Sequence, residues 1–137
     1  MPEHRTYGIP DLELTDGVNP SDFAGHDLVM LFCPDDTEAA AQELADYNAL
    51  ADQLAYNDAY MVAVCSKTAE APASRVLTAK DAEGRAWDAF SKCLSPHMRP
   101  APAEGAVFLF GRGGCLRQVW PGSGHAKEVV QALNERM

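Results

Sequence analysis

LVMLFCPDDTEAAAQEL, residues 28–44, is the stretch on which the fold turns. An unbroken apolar run, Leu28–Cys33, ends at Pro34, crosses Asp35-Asp36-Thr37 and becomes an alanine-rich segment. An apolar run with no polar break suits a strand covered on both faces, as in a parallel sheet. Proline cannot donate to the ladder and stops it. Asp35, Asp36 and Thr37 are all good N-cap types, and Glu38 adds negative charge in the first turn, where the helix dipole favours it. A strand running into a helix N-terminus often presents a reactive group there. Here the first turn reads Glu38-Ala39-Ala40-Ala41, and none of these side chains can react.

Outward from this junction the periodicities continue. Leu44, Tyr47, Leu50, Ala51 and Leu54 recur at three- and four-residue steps, which predicts one helix over 38–56 with a single buried stripe. Asn57-Asp58 closes it, and Ala59–Cys65 reads as a second buried strand. Together they form a βαβ unit, whose right-handed crossover makes the two strands parallel. Residues 66–75 are a polar connection, VLTA at 76–79 a short strand, and 82–94 a helix with Trp87, Phe90 and Leu94 on one face. The three prolines within 95–105 mark a loop. Ala106–Phe110 and Cys115–Trp120 flank the Gly-rich turn 111–114 as an antiparallel hairpin. A final helix over 125–136 buries Val129, Val130 and Leu133. At the start, 1–10 is irregular, DLELT at 11–15 alternates like a short strand, and 16–22 is a turn cluster.

With 137 residues, the chain fits one domain over 1–137 with a single core. It is 47% hydrophobic and 23% charged, the balance of a soluble globular protein. A net charge of −9 repels phosphate backbones and anionic membrane surfaces, so neither nucleic acid nor membrane is an expected partner. No apolar run is long enough to span a bilayer, and no signal peptide is legible, so a cytoplasmic location is expected. The cysteines at 33, 65, 93 and 115 contain no CxxC pair, which excludes a zinc knuckle and a dithiol motif. In a reducing cytosol they are expected as thiols. The four histidines have no metal-ligand spacing, and neither a metal nor a cofactor is expected.

The element order is that of a thioredoxin-like α/β fold, a three-layer α/β/α sandwich around a central mixed β-sheet. The chain further resembles the peroxiredoxins, the alkyl hydroperoxide reductase/thiol-specific antioxidant branch of the thioredoxin superfamily. The resemblance is carried by IPDLELTDG, NPSDFAGHDLVMLF, FCPDDTEAAAQEL, AYMVAVCSK, VLTAKDAEGRAWDAF and AVFLFGRGGCLRQVWPG, in the family's order. It implies Pro34 and Thr37 as pocket residues and a peroxidatic cysteine on the first helical turn. The matching position is Ala40, or Ala41 if the shorter spacing after Pro34 shifts the match. The activating arginine of the family would fall near Gly105. Arg99 lies nearest upstream but off position. Gly105-Ala106 also replaces the proline that precedes this strand in thioredoxins.

Peroxide reduction needs a thiolate, stabilised by a helix N-terminus and a guanidinium. Alanine supplies neither, so the family's peroxidase site is expected to be vacated at Ala40. The leading expectation is therefore a binding or regulatory protein, self-associating as a homodimer or docked on a protein partner. The alternative is a thiol oxidoreductase or peroxidase using Cys33, with Cys65 as resolving partner. These two cysteines close neighbouring parallel strands at the edge where such folds place ligands. Against that reading, free Cys is commonly a small buried apolar residue, and Asp35-Asp36 would raise a nearby thiol pKa. Cys93 and Cys115 read as a helical core residue and a surface thiol.

Overall fold

The computed structural model describes residues 9, 14, 19–23, 25–34, 36–65, 76–80, 85–92, 104–122 and 124–135, with the backbone alone at 37, 65, 76–80 and 85. Strand β1 (Asp27–Phe32) is the centre of the sheet, and each of its six residues is buried. It is flanked by β2 (Ala59–Cys65) in parallel register, Asp27 opposite Ala59 and Phe32 opposite Val64. On the other side β4 (Ala106–Phe110) runs antiparallel, with Phe32 opposite Ala106. Strand β3 (Val76–Lys80) extends the parallel side, and β5 (Leu116–Pro121) completes the hairpin with β4. The order is β3–β2–β1–β4–β5 in one mixed sheet. A central strand buried on both faces needs apolar side chains at every position, and that is why 28–33 is an unbroken run rather than an alternation.

The two faces carry different layers. Val29, Leu31 and Cys33 of β1 face a core built with Ala59, Met61 and Ala63 of β2 and with Val107 and Leu109 of β4. It is covered by Tyr47 of α1 (Thr37–Asn48), Leu54 of α2 (Ala51–Tyr56), and Val129 and Leu133 of α4 (Ala126–Asn134). Leu28, Met30 and Phe32 point the other way, against Ala86 and Phe90 of α3 (Arg85–Ser91). There Phe32, Trp87, Phe90, Phe108 and Phe110 meet edge to face with ring centroids 5.1–5.7 Å apart. Each such pair contributes on the order of 1 kcal/mol beyond its buried area. Helices on both faces of one mixed sheet make the α/β/α sandwich expected of the sequence.

The differences from expectation are local. The helix predicted over 38–56 is two helices, α1 and α2, broken at Ala49-Leu50. The Leu50 amide bonds the Tyr47 carbonyl at 3.0 Å, an i→i+3 closure, and the Leu54 amide then bonds the Leu50 carbonyl at 3.2 Å to start the next helix. Leu50 still packs on the core, so the apolar stripe runs through the break and conceals it. Asn57-Asp58 does close the pair, with Asp58 in the left-handed region at φ 54°. Asn57 donates to the Gln53 carbonyl and to Asn134 Oδ1, both at 2.9 Å, which ties α2 to the end of α4. The strand expected at 11–15 lies outside the described residues except for buried Leu14.

Candidate functional site

The carboxyl ends of β1 and β5 and the N-termini of α1 and α4 meet at one edge of the sheet, and Gly105 enters β4 beside them. Three of the residues expected to matter fall here. Cys33 follows β1, is buried, and its amide donates to the Val64 carbonyl at 2.9 Å. Pro34 is buried too. Ala40, where the resemblance puts the peroxidatic cysteine, packs half-buried against the same core as Cys33. The backbone of Cys65 ends β2 next to Cys33, while the Cys65 and Thr37 side chains and all of Arg99 lie outside the described residues.

The helix start is occupied by its own sequence. Asp36 is the N-cap of α1, and its Oδ1 accepts from the amides of Glu38 at 2.9 Å and Ala39 at 3.3 Å. The Ala40 amide is bonded to the Asp36 carbonyl at 2.9 Å. The Glu38, Ala39 and Ala40 amides are therefore taken, and a carboxylate already answers the positive end of the dipole.

Gly105 stands at a tight backbone contact. Its φ is +79°, and a Cβ there would run into the Phe32 carbonyl oxygen and lie 3.0 Å from the Pro34 nitrogen. No side chain fits at this position, so the backbone entering β4 lies directly on the Cys33-Pro34 segment. The Gly105 carbonyl also accepts from the Gly122 amide at 3.0 Å, which ties the end of β5 to the same place.

Behind the helix start lies a buried polar group that the sequence reading missed. Glu43 is 2% exposed, and its Oε1 accepts from the Gly124 amide at 2.7 Å. Its Oε2 and the buried Tyr47 hydroxyl have no hydrogen-bond partner among the described residues. Burial raises the Glu43 pKa above the ordinary carboxylate value. The Gly124 bond and His125 oppose that shift, and Asp46 adds to it. Burial likewise raises the Tyr47 pKa, and negative charge on Glu43 and Cys33 pushes it further. Next in the chain, the His125 ring has Nδ1 3.0 Å from Glu128 Oε1 and Nε2 2.8 Å from the Pro121 carbonyl oxygen. The signal for Glu43 was present in the sequence. Ala40, Glu43, Leu44 and Tyr47 share one helical face, so a carboxylate stands in an apolar stripe.

Alongside this group a cleft of about 600 Å³ opens between α1 and α4, lined by Asp46, Ala49, Leu50, Gly124, Ala126, Lys127 and Glu128. Among the described residues no cluster of three or more His, Cys, Asp or Glu could hold a metal ion, and no helix is long and apolar enough to cross a membrane. Cys115, in the β4–β5 turn, is an exposed thiol.

The architecture is that of the thioredoxin-like fold, and solved structures bear this out. A bacterioferritin comigratory protein of Xanthomonas campestris, described for its alkyl peroxide reduction activity, superposes with a TM-score of 0.69 at 20% identity. That match covers 96% of this chain and 97% of the other. The mitochondrial 2-Cys peroxiredoxin of Plasmodium falciparum gives 0.68 at 12% identity, over 94% and 91% of the two chains. A putative thiol:disulfide interchange protein DsbE of Chlorobium tepidum gives 0.68 at 21%, over 93% and 92%. No protein-family model matches the chain. No curated protein matches it by sequence either.

Proposed function

We propose that this chain is a peroxiredoxin-like thioredoxin-fold protein without peroxidase activity, which acts by binding or regulation. One observation carries the reading: the Asp36 carboxylate, not a sulfur, is bonded to the leading amides of α1, and the same first turn carries Ala40. A thiolate at that helix tip would face a carboxylate, which opposes the ionisation that peroxide reduction needs. Gly105 supports the reading as well, since no guanidinium can be presented from a position with no room for a Cβ. With no cysteine on the first turn of α1, the sheet edge and the α1–α4 cleft serve in this reading as surfaces for a protein partner or a second copy of the chain.

A second reading rests on the β1–β2 register, which brings the backbones of Cys33 and Cys65 to adjacent strand ends. In it, Cys33 attacks a hydroperoxide, the O–O bond breaks, water or an alcohol leaves, and the sulfenic acid condenses with Cys65. One experiment separates the two. Hydroperoxide consumption is followed with an excess of dithiol reductant, for the wild type and for Cys33→Ser. The expected result is the uncatalysed rate for both. Turnover in the wild type that Cys33→Ser abolishes would establish the second reading and overturn the first.

A further inference from the structure

We propose that His125 is a proton-operated latch, which in its doubly protonated form ties the turn between β5 and α4 to both elements and in its neutral form releases one of the two ties. The two partners of the ring are a carbonyl oxygen on β5 and a carboxylate on α4, at 2.8 Å and 3.0 Å. Both are acceptors only. Both ring nitrogens must therefore carry a proton for both bonds to exist, which is the imidazolium. A neutral imidazole has one N–H and can keep one bond, never both.

What the latch holds is well placed. Gly124 precedes His125, and its amide is the donor to the buried Glu43 carboxylate of α1. Gly122 is pinned to Gly105 at the entrance to β4. Ala126, Lys127 and Glu128 follow, and with Gly124 they form one wall of the α1–α4 cleft. Glu128 thus lines the cleft and holds the ring. Loss of a ring proton loosens that wall, and if the Glu128 bond is the one lost it also frees a carboxylate toward the cleft.

The groups around the ring favour the charged form on balance. Burial disfavours the cation, but the hydrogen bonds to Glu128 and to the Pro121 carbonyl raise the pKa, and negative charge on Glu128 and on Glu43 of α1 adds to this. Glu128 comes from α4, Pro121 from β5 and Glu43 from α1, so each element around the turn contributes. The inference does not depend on the proposed function, since it concerns the turn and not a reaction.

Nitrogen NMR of the histidine rings, with amide exchange followed in parallel, tests the latch. At pH 6 both His125 nitrogens are expected to be protonated, and the ring to titrate above the ordinary value of about 6.5. Through that titration, protection of the Gly124 and Val129 amides should fall by about threefold to tenfold more than that of the β1 amides, the effect of one lost hydrogen bond. His125→Gln should abolish this pH-dependent step. Glu128→Gln, on an exposed side chain that leaves the core untouched, should lower the titration midpoint of His125. A neutral His125 ring at pH 6 would overturn the proposal. So would equal changes in exchange at the turn and in β1, or a midpoint unmoved by Glu128→Gln.

Discussion

Tyr47 shows how a single side chain can serve the core and still carry a cost. Its ring is fully buried in the layer between α1 and the sheet. Its hydroxyl is buried as well and has no hydrogen-bond partner among the described residues. A buried polar group left unmatched costs about 1–3 kcal/mol, whereas removing it while keeping the shape is neutral or favourable. Tyr47→Phe keeps the ring and deletes only that oxygen. Urea denaturation should therefore show the variant at least as stable as the wild type, by up to about 2 kcal/mol. A loss of more than about 1 kcal/mol would mean that the hydroxyl is matched in solution by a group such as the neighbouring Glu43. Glu43 is the companion case, since Gly124 satisfies one of its oxygens and leaves the other unmatched. Both residues lie one to two turns from Ala40.

At the scale of elements, the entry to β4 is the most constrained junction, because two backbones meet where a Cβ would overlap the Phe32 carbonyl. Gly105→Ala combines that overlap with a left-handed conformation unfavourable to any side chain. It is expected to destabilise the protein by about 2 kcal/mol or more, measured as a shift in the denaturation midpoint. The close contact was not readable in the sequence, in which Gly105 stands out only as the position where the resemblance to peroxiredoxins would have put an arginine. The strands were readable for a physical reason. β1, β2 and β4 are buried on both faces, so their apolar runs have no competing period, and Ala59–Cys65 and Ala106–Phe110 emerge with the expected bounds. The helices were readable through their stripes but not at their ends. Leu50 keeps its place on the core through the Ala49-Leu50 break, and the helix expected at 82–94 ends at Ser91, while 82–84 lie outside the described residues. The site was half legible. The empty first turn follows from the residue types alone. The Asp36 cap required choosing among three adjacent cap formers, and the Glu43–Gly124 bond joins residues 81 apart in the chain, which no local pattern encodes.

For the whole molecule, Glu43 and His125 give stability an unusual pH dependence. A carboxylate paired in the native state normally has a lowered pKa and stabilises the fold as pH rises. Glu43 is the reverse case: burial raises its folded pKa above 4.5, so the native state holds its proton longer than the unfolded chain. Stability from Glu43 is thus full below about 4.5 and is lost as pH rises through the folded value. His125 has the same sign for a different reason, because its folded pKa is raised by acceptors around a cation. Its contribution is present below about 6.5 and is lost as pH rises through the folded value. The two windows lie in sequence, and a net charge of −9 adds repulsion in the same direction. Wild-type stability alone cannot apportion these three effects, but variants can. Urea midpoints measured from pH 4.5 to 8.5 should fall with rising pH for the wild type. Glu43→Gln keeps an oxygen for the Gly124 amide and removes the ionisation, so its curve should flatten in the lower part of the range only. His125→Gln should flatten the upper part only. If both variants run parallel to the wild type throughout, the slope belongs to general charge repulsion, and the edge formed by α1 and α4 carries no proton linkage of its own.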